Sequence, residues 1–150
     1  MVIYLGADHR GFNLKEQLKS FLKMEGYSIN DMGAQQLIQD DSYVQYAKVV
    51  AEKISQDPNQ RGILICGSGV GMDVTANKFY QVRSALVSSP DQALASRSDD
   101  DTNVLSLAAD FIDLDTAKKI VSVWLQTPFS EEPRYKERLE ELKKIDNTLN

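Results

Sequence analysis

Cys66 is the only thiol in the 150-residue chain, and glycines follow it at alternate positions, Gly67, Gly69 and Gly71, within ILICGSGVGMDVTANK. An apolar run ends at the cysteine, and a helix-like segment begins behind the glycines. Alternating glycines let successive backbone N–H groups converge on one anion, and a helix start adds positive potential. A thiol at the lip of such a loop is a candidate base or nucleophile, because those N–H groups favour the thiolate. The same cysteine also reads as a small buried hydrophobe at a strand end. GSGVGMD lacks the Lys-Ser/Thr ending of a P-loop, and its glycine spacing is not that of a dinucleotide fingerprint. A cysteine nucleophile needs a histidine activator, and the single histidine, His9, belongs to another strand end from which it could approach, so that role stays open. One cysteine forbids an intrachain disulfide, and neither CxxC nor HxxxH spacing is present, so no metal site is expected.

Three other groups could take part. Asp8 and His9 follow the apolar run VIYLGA. Asp8 could equally cap the helix that comes next. Arg134 and Arg138 lie four residues apart in PRYKERLEEL, which puts both guanidiniums on one helical face, suited to clamping a phosphate. A solvated face shared with Glu137 and Glu141 is the plainer reading. SDDDTN packs Asp99, Asp100 and Asp101 into one turn, either a proton-handling group or a solvated acidic turn.

These residues must be positioned by a regular alternation of elements. VIYLGAD predicts a strand, and Leu14, Leu18, Phe21 and Leu22 predict one face of a helix from about Gly11 to Glu25, ended by Gly26. YSINDMG is a second strand, and Tyr43 to Ile54 a helix with Ala47, Val50, Ala51 and Ile54 inward. GILIC reads as a strand buried on both faces. VRSALVSS and NVLSLAA are two more, flanking a helix from Pro90 to Ser98. Asp113 caps a helix from Leu114 to Gln126, and Pro133 opens a last one carrying Leu139, Leu142, Ile145 and Leu149. The order is strand–helix five times plus a terminal helix. It predicts an α/β, Rossmann-like three-layer sandwich over residues 1–150, a single domain with a parallel five-stranded sheet and a C-terminal helix. Asp8–His9, Cys66 and SDDDTN are all expected at the carboxyl ends of the strands, where such sheets bind ligands.

A net charge of −5 argues against a nucleic-acid partner. No apolar run nears the roughly 20 residues of a membrane span, and the N-terminal stretch lacks signal-peptide character. A cytoplasmic location is expected.

GADHRGFNLKEQL, ILICGSGVG, ANKF, VRSALV, DTNVL and PRYKERLEEL together resemble the family of ribose-5-phosphate isomerase B and the galactose-6-phosphate isomerase subunits, in order along the whole chain. The resemblance implies aldose–ketose isomerisation of a sugar phosphate through a cis-enediolate, without metal or cofactor. It also implies homodimers or tetramers with active sites shared between subunits. Cys66 would be the base, and the amides of Gly67, Ser68, Gly69, Val70 and Gly71, with the Ser68 hydroxyl, would cradle the enediolate oxygens. Another branch of the family places a carboxylate where this chain has Met72, and Asp73 is expected to point elsewhere. Asp8 matches a ring-opening residue and His9 a phosphate contact. Arg134 and Arg138 match two phosphate arginines. Three positions depart from the pattern. Asp99 replaces a ring-opening histidine, Asp100 a substrate-contacting asparagine, and Asp110 a phosphate-contacting arginine. An unpaired Asp110 would repel a phosphate dianion by about 1 kcal/mol at an effective dielectric near 20. The leading substrate is ribose 5-phosphate. Galactose 6-phosphate, with or without a paralogous partner subunit, and a catalytically inactive sugar-phosphate binder are the alternatives.

Overall fold

The computed structural model describes residues 1–149, with side chains through Thr148. Five strands, β1 (Val2–Ala7), β2 (Ser28–Asp31), β3 (Arg61–Cys66), β4 (Ser84–Leu86) and β5 (Val104–Ala108), alternate with helices. The helices are α1 (Phe12–Met24), α2 (Tyr43–Gln56), α3 (Val70–Ala76), α4 (Pro90–Ser98) and α5 (Leu114–Gln126), followed by α6 (Pro133–Leu149). The strands run parallel in the order β2-β1-β3-β5-β4. Period-2 alternation assigns Ile63 and Ile65 of β3 to one face, packed with α1, α4 and α5 around Trp124. Leu64 and Cys66 face the other way, into the layer made by α2 and α3. The expected three-layer α/β architecture is the one observed.

Local signals set most boundaries. Ser89 accepts the Gln92 N–H, with Pro90 in the first turn of α4, and Asp113 accepts the Thr116 N–H at the start of α5. Gly26, at φ 86°, takes the left-handed conformation that ends α1.

Three expectations are corrected, and the faces of α6 are set. β4 is three residues long, because side chains replace the ladder at both ends: Asn103 Oδ1 accepts from Arg83 N and Gln92 Oε1 from Ser88 N. The α1 face buries Lys15 completely, while Phe21 is only half-buried. Leu142 and Ile145 of α6 are exposed, and the Leu149 side chain lies outside the described residues. Most consequentially, SDDDTN is not at the carboxyl ends of the strands. β3 and β5 are parallel with Gly62 opposite Val104 and Cys66 opposite Ala108. A segment that precedes β5 therefore sits at the amino end, beyond about 13 Å of strand from the level of Cys66.

Candidate active site

The chain reverses direction across the sheet between β1 and β3, and the crevice at such a point collects loop residues from both strands. Ala7 is in register with Ile65, and Asp8 N donates to Ile65 O, so Asp8 and Cys66 leave neighbouring strands side by side. Asp8 is buried, and its Oδ1 accepts from Arg10 N and Gly11 N, both at 3.0 Å. It does not cap α1, whose N-terminus has no side-chain cap, but closes the turn before it and so fixes the direction of His9 and Arg10.

Cys66 is buried, and Gly69 N donates to its Sγ at 3.1 Å. That contact requires the tight return that Gly69 makes at φ 74°. One loop amide is therefore turned on the sulfur itself. Ser68 is exposed at the rim with its Oγ near Val70 N, and the Tyr43 ring lies against Gly71. Met72 is buried in the core. Asp73 points away from Cys66, as expected. It accepts from Ser84 Oγ at 2.7 Å, and burial pushes its carboxyl above the usual range despite the Ser84 and Ser106 hydroxyls.

Residues that the sequence did not single out complete this end of the sheet. Asp41 Oδ1 accepts from His9 N at 2.7 Å and lies 3.0 Å from His9 Nδ1, so the imidazole is anchored from two sides. The Asp41 side chain is 3 % exposed, and its Oδ2 has no hydrogen-bond partner among the described residues. The Tyr46 phenol stands beside this carboxylate without a well-formed bond to Oδ2. Burial and the Asp41 charge push that phenol up. Asp8, His9 and Asp41 bring three potential ligand atoms within 4.8 Å of one another. A cation there would compete with the N–H donors already held by both Oδ1 atoms.

Lys15, wholly buried, is bonded to Asp31 at 2.8 Å and to Ala34 O at 2.9 Å, which pins the start of the segment leading to Asp41. Burial pushes the Asp31 carboxyl up, but hydrogen bonds from Lys15, Lys19 and Gly33 N outweigh it and hold it below the usual range.

Asp110 is not unpaired. It forms an ion pair with Arg10 directly over Gly67, where any Cβ would collide with both side chains. The repulsion expected of a lone Asp110 carboxylate therefore does not apply.

The remaining predicted residues do not join Cys66 within this chain. Asp101 is a clamp at the amino end of the sheet, held by Arg83 and Arg97. Asp99 accepts from Ser98 Oγ, and Asp100 lines a cleft of about 540 Å³ between the sheet end and α6, with Arg83, Leu142 and Lys143. The segment before α6 is tied to the end of α4 through Ser130 N to Ser98 O. Both exposed arginines of α6 stack on the same Tyr135 ring, Arg134 at 4.5 Å and Arg138 at 5.7 Å. They share a face, as their spacing required, but at the end opposite the thiol.

The known proteins this chain resembles bear on which chemistry these two ends of the sheet serve. A model of the ribose/galactose isomerase family matches residues 3–142. The chain belongs to this family. Ribose-5-phosphate isomerase B of Escherichia coli (strain K12) is 37% identical over 148 residues, covering 99% of this chain and 98% of its own. Among solved structures, a Clostridium thermocellum ribose-5-phosphate isomerase B superposes with a TM-score of 0.95 at 34% identity, covering all of both chains. The enzyme of Mycoplasma genitalium, solved with bound ribulose-5-phosphate, gives 0.94 at 33% identity over 97% of this chain and 96% of that one. Among the described residues, no helix is long and apolar enough to cross a membrane.

Proposed function

We infer that the chain is an aldose–ketose isomerase that interconverts ribose 5-phosphate and ribulose 5-phosphate. The observation that carries this is the Cys66 thiol, held by the Gly69 N–H beside Asp8 and His9, in a chain that matches a ribulose-5-phosphate-bound relative over nearly its whole length. In the forward direction Cys66 as thiolate takes the proton from C2, the electrons pass to the C1 oxygen, and a cis-enediolate forms. Return of that proton from Cys66 to C1, with the O2 proton passing to O1, gives the ketose. The loop from Gly67 to Gly71, with the Ser68 hydroxyl, supplies donors to the enediolate oxygens, where preorganised N–H groups act on developing charge. Asp8 assists opening of the furanose, and His9, fixed by Asp41, meets the phosphate. No step calls on a metal or cofactor.

The site is completed by a second copy, whose Asp99, Asp100, Arg134 and Arg138 approach from its own amino end. Exposed Val70 and Val74 on α3, Leu86 on the edge strand and Leu94 on α4 give that copy an apolar surface to cover. A homodimer is the minimal unit, and a paralogous subunit could occupy the same place. We take residues 1–150 as one isomerase domain working in the cytoplasm, where a charged sugar phosphate is retained.

The direct test is conversion of ribose 5-phosphate followed by formation of the ketose, with galactose 6-phosphate run in parallel. Turnover of ribose 5-phosphate at least tenfold more efficient than that of the hexose supports the reading. Turnover of galactose 6-phosphate alone overturns the substrate assignment, and turnover of neither overturns the enzyme.

A further inference from the structure

The Arg10–Asp110 pair joins residues one hundred positions apart and lies across the mouth of the glycine loop. Both partners are fixed through their backbones. Arg10 N donates to Asp8 Oδ1, and Asp110 N donates to Gly67 O at 3.0 Å. Of the side chains nearest the three loop glycines, namely Arg10, Asp110, Leu86 and Tyr43, Arg10 alone is cationic. The buried Lys15 is already spent on Asp31 and Ala34 O. This end of the sheet otherwise carries the carboxyl groups of Asp8, Asp41 and Asp110, a poor setting for a phosphate dianion without a permanent positive charge nearby.

The guanidinium is arranged to receive an anion. Its Nη2 meets Asp110 Oδ2, whereas Nε and Nη1 have no partner among the described residues. The side chain is 57% exposed. A guanidinium presents its donors as a planar fork, so one edge can be held by a carboxylate while the other takes phosphate or sugar oxygens. An ordinary surface ion pair needs neither backbone anchors on both partners nor a glycine beneath it. Here a side chain at position 67 would displace both members, so the pair and the loop are built as one unit.

We propose that Arg10 is a substrate-binding residue of this site, contacting the phosphate of the sugar, and that Asp110 is the positioning residue that keeps the guanidinium over Gly67. This rests on the sugar-phosphate reading above. It gives this chain a phosphate cation on the loop after β1, on the same rim as Asp110, the position at which the resemblance implies an arginine.

The test measures binding of inorganic phosphate by calorimetry alongside steady-state kinetics on ribose 5-phosphate, so that binding is read even if turnover is absent. Arg10→Gln should weaken phosphate binding about tenfold or more and raise KM by a similar factor, with kcat within about threefold of wild type. Asp110→Asn should lower kcat/KM less, by about two- to fivefold, since the guanidinium stays but loses its anchor. The swap Arg10→Asp with Asp110→Arg restores a guanidinium–carboxylate pair over Gly67 and should recover most of the phosphate affinity lost in Arg10→Asp alone. Wild-type phosphate affinity in Arg10→Gln overturns the proposal, as does a folded swap variant no better than Arg10→Asp. Failure of wild type to isomerise ribose 5-phosphate, with phosphate binding still dependent on Arg10, would sink the function reading and leave Arg10 as an anion ligand.

Discussion

Cys66→Ala and the double variant Arg134→Ala/Arg138→Ala should each be nearly inactive alone and active when mixed. The strand register places Cys66 and the acidic turn before β5 at opposite ends of the sheet, separated by at least about 13 Å of strand. The segment leading into α6 is tied to that same far end. No side chain of this chain spans such a gap, so the site proposed above combines Cys66 of one copy with the α6 arginines of another. Removing the base costs about 10²- to 10⁴-fold. Removing two charge-assisted contacts, each worth about 1.5–3 kcal/mol, costs on the order of a hundredfold or more. Random re-pairing after mild dissociation leaves a given site with an intact Cys66 half the time and intact arginines half the time. The mixture should therefore recover about a quarter of wild-type activity per site. The assay is ribose 5-phosphate turnover before and after co-refolding an equimolar mixture, with subunit exchange followed by native mass spectrometry. Heterodimers that form in full yet show only the sum of the parental activities would refute the two-copy site.

Three further outcomes follow from individual contacts. Gly11→Ala places a Cβ 2.6 Å from the carbonyl carbon of Ile65 and closer still to its oxygen, backbone atoms that cannot step aside. It should cost about 3 kcal/mol, or roughly 6–12 °C in Tm, by calorimetry. The Asp31 carboxyl sits below its usual range through Lys15 and Lys19, so its stabilising contribution is complete above the ordinary carboxylate range near 4 and is lost as pH falls through the folded-state value. Urea melts from pH 7 down to 3 should show that decline, and Asp31→Asn should flatten it while costing about 2 kcal/mol at pH 7, because buried Lys15 keeps only Glu16 and Ala34 O as partners. Asp99→His supplies a proton donor that titrates near neutral pH, and it should raise kcat on ribose 5-phosphate several-fold. Unchanged kinetics would place Asp99 outside the shared site.

The readable parts of the fold were those with local causes. Pro90 after Ser89, Asp113 before α5 and Gly26 after α1 each act within a few residues, and the helices they bound are where they were expected. The apolar run ending at Cys66 was legible for the same reason. What escaped was non-local. Asp41 meets His9 across 32 positions, and Arg10 meets Asp110 across 100, so neither partnership leaves a spacing signal. The misplacement of SDDDTN had a different origin: a turn before a strand and a turn after one look alike in sequence, yet a parallel sheet sends them to opposite ends. Lys15 broke the apolar periodicity of α1 because Asp31 and Ala34 O satisfy its ammonium inside the fold. The exposure of Leu142 and Ile145 is the converse case, an apolar periodicity that this chain alone does not bury.

The central claim is that Cys66 moves the proton between C2 and C1. It is tested most directly by following ribose 5-phosphate in deuterated water by proton NMR with wild type, Cys66→Ala and Cys66→Ser. The account predicts solvent deuterium in the ketose formed by wild type and loss of at least about a hundredfold in both isomerisation and exchange in Cys66→Ala, with the fold unchanged by circular dichroism. Cys66→Ala that retains more than a tenth of the wild-type exchange rate would contradict it and move the base to another residue.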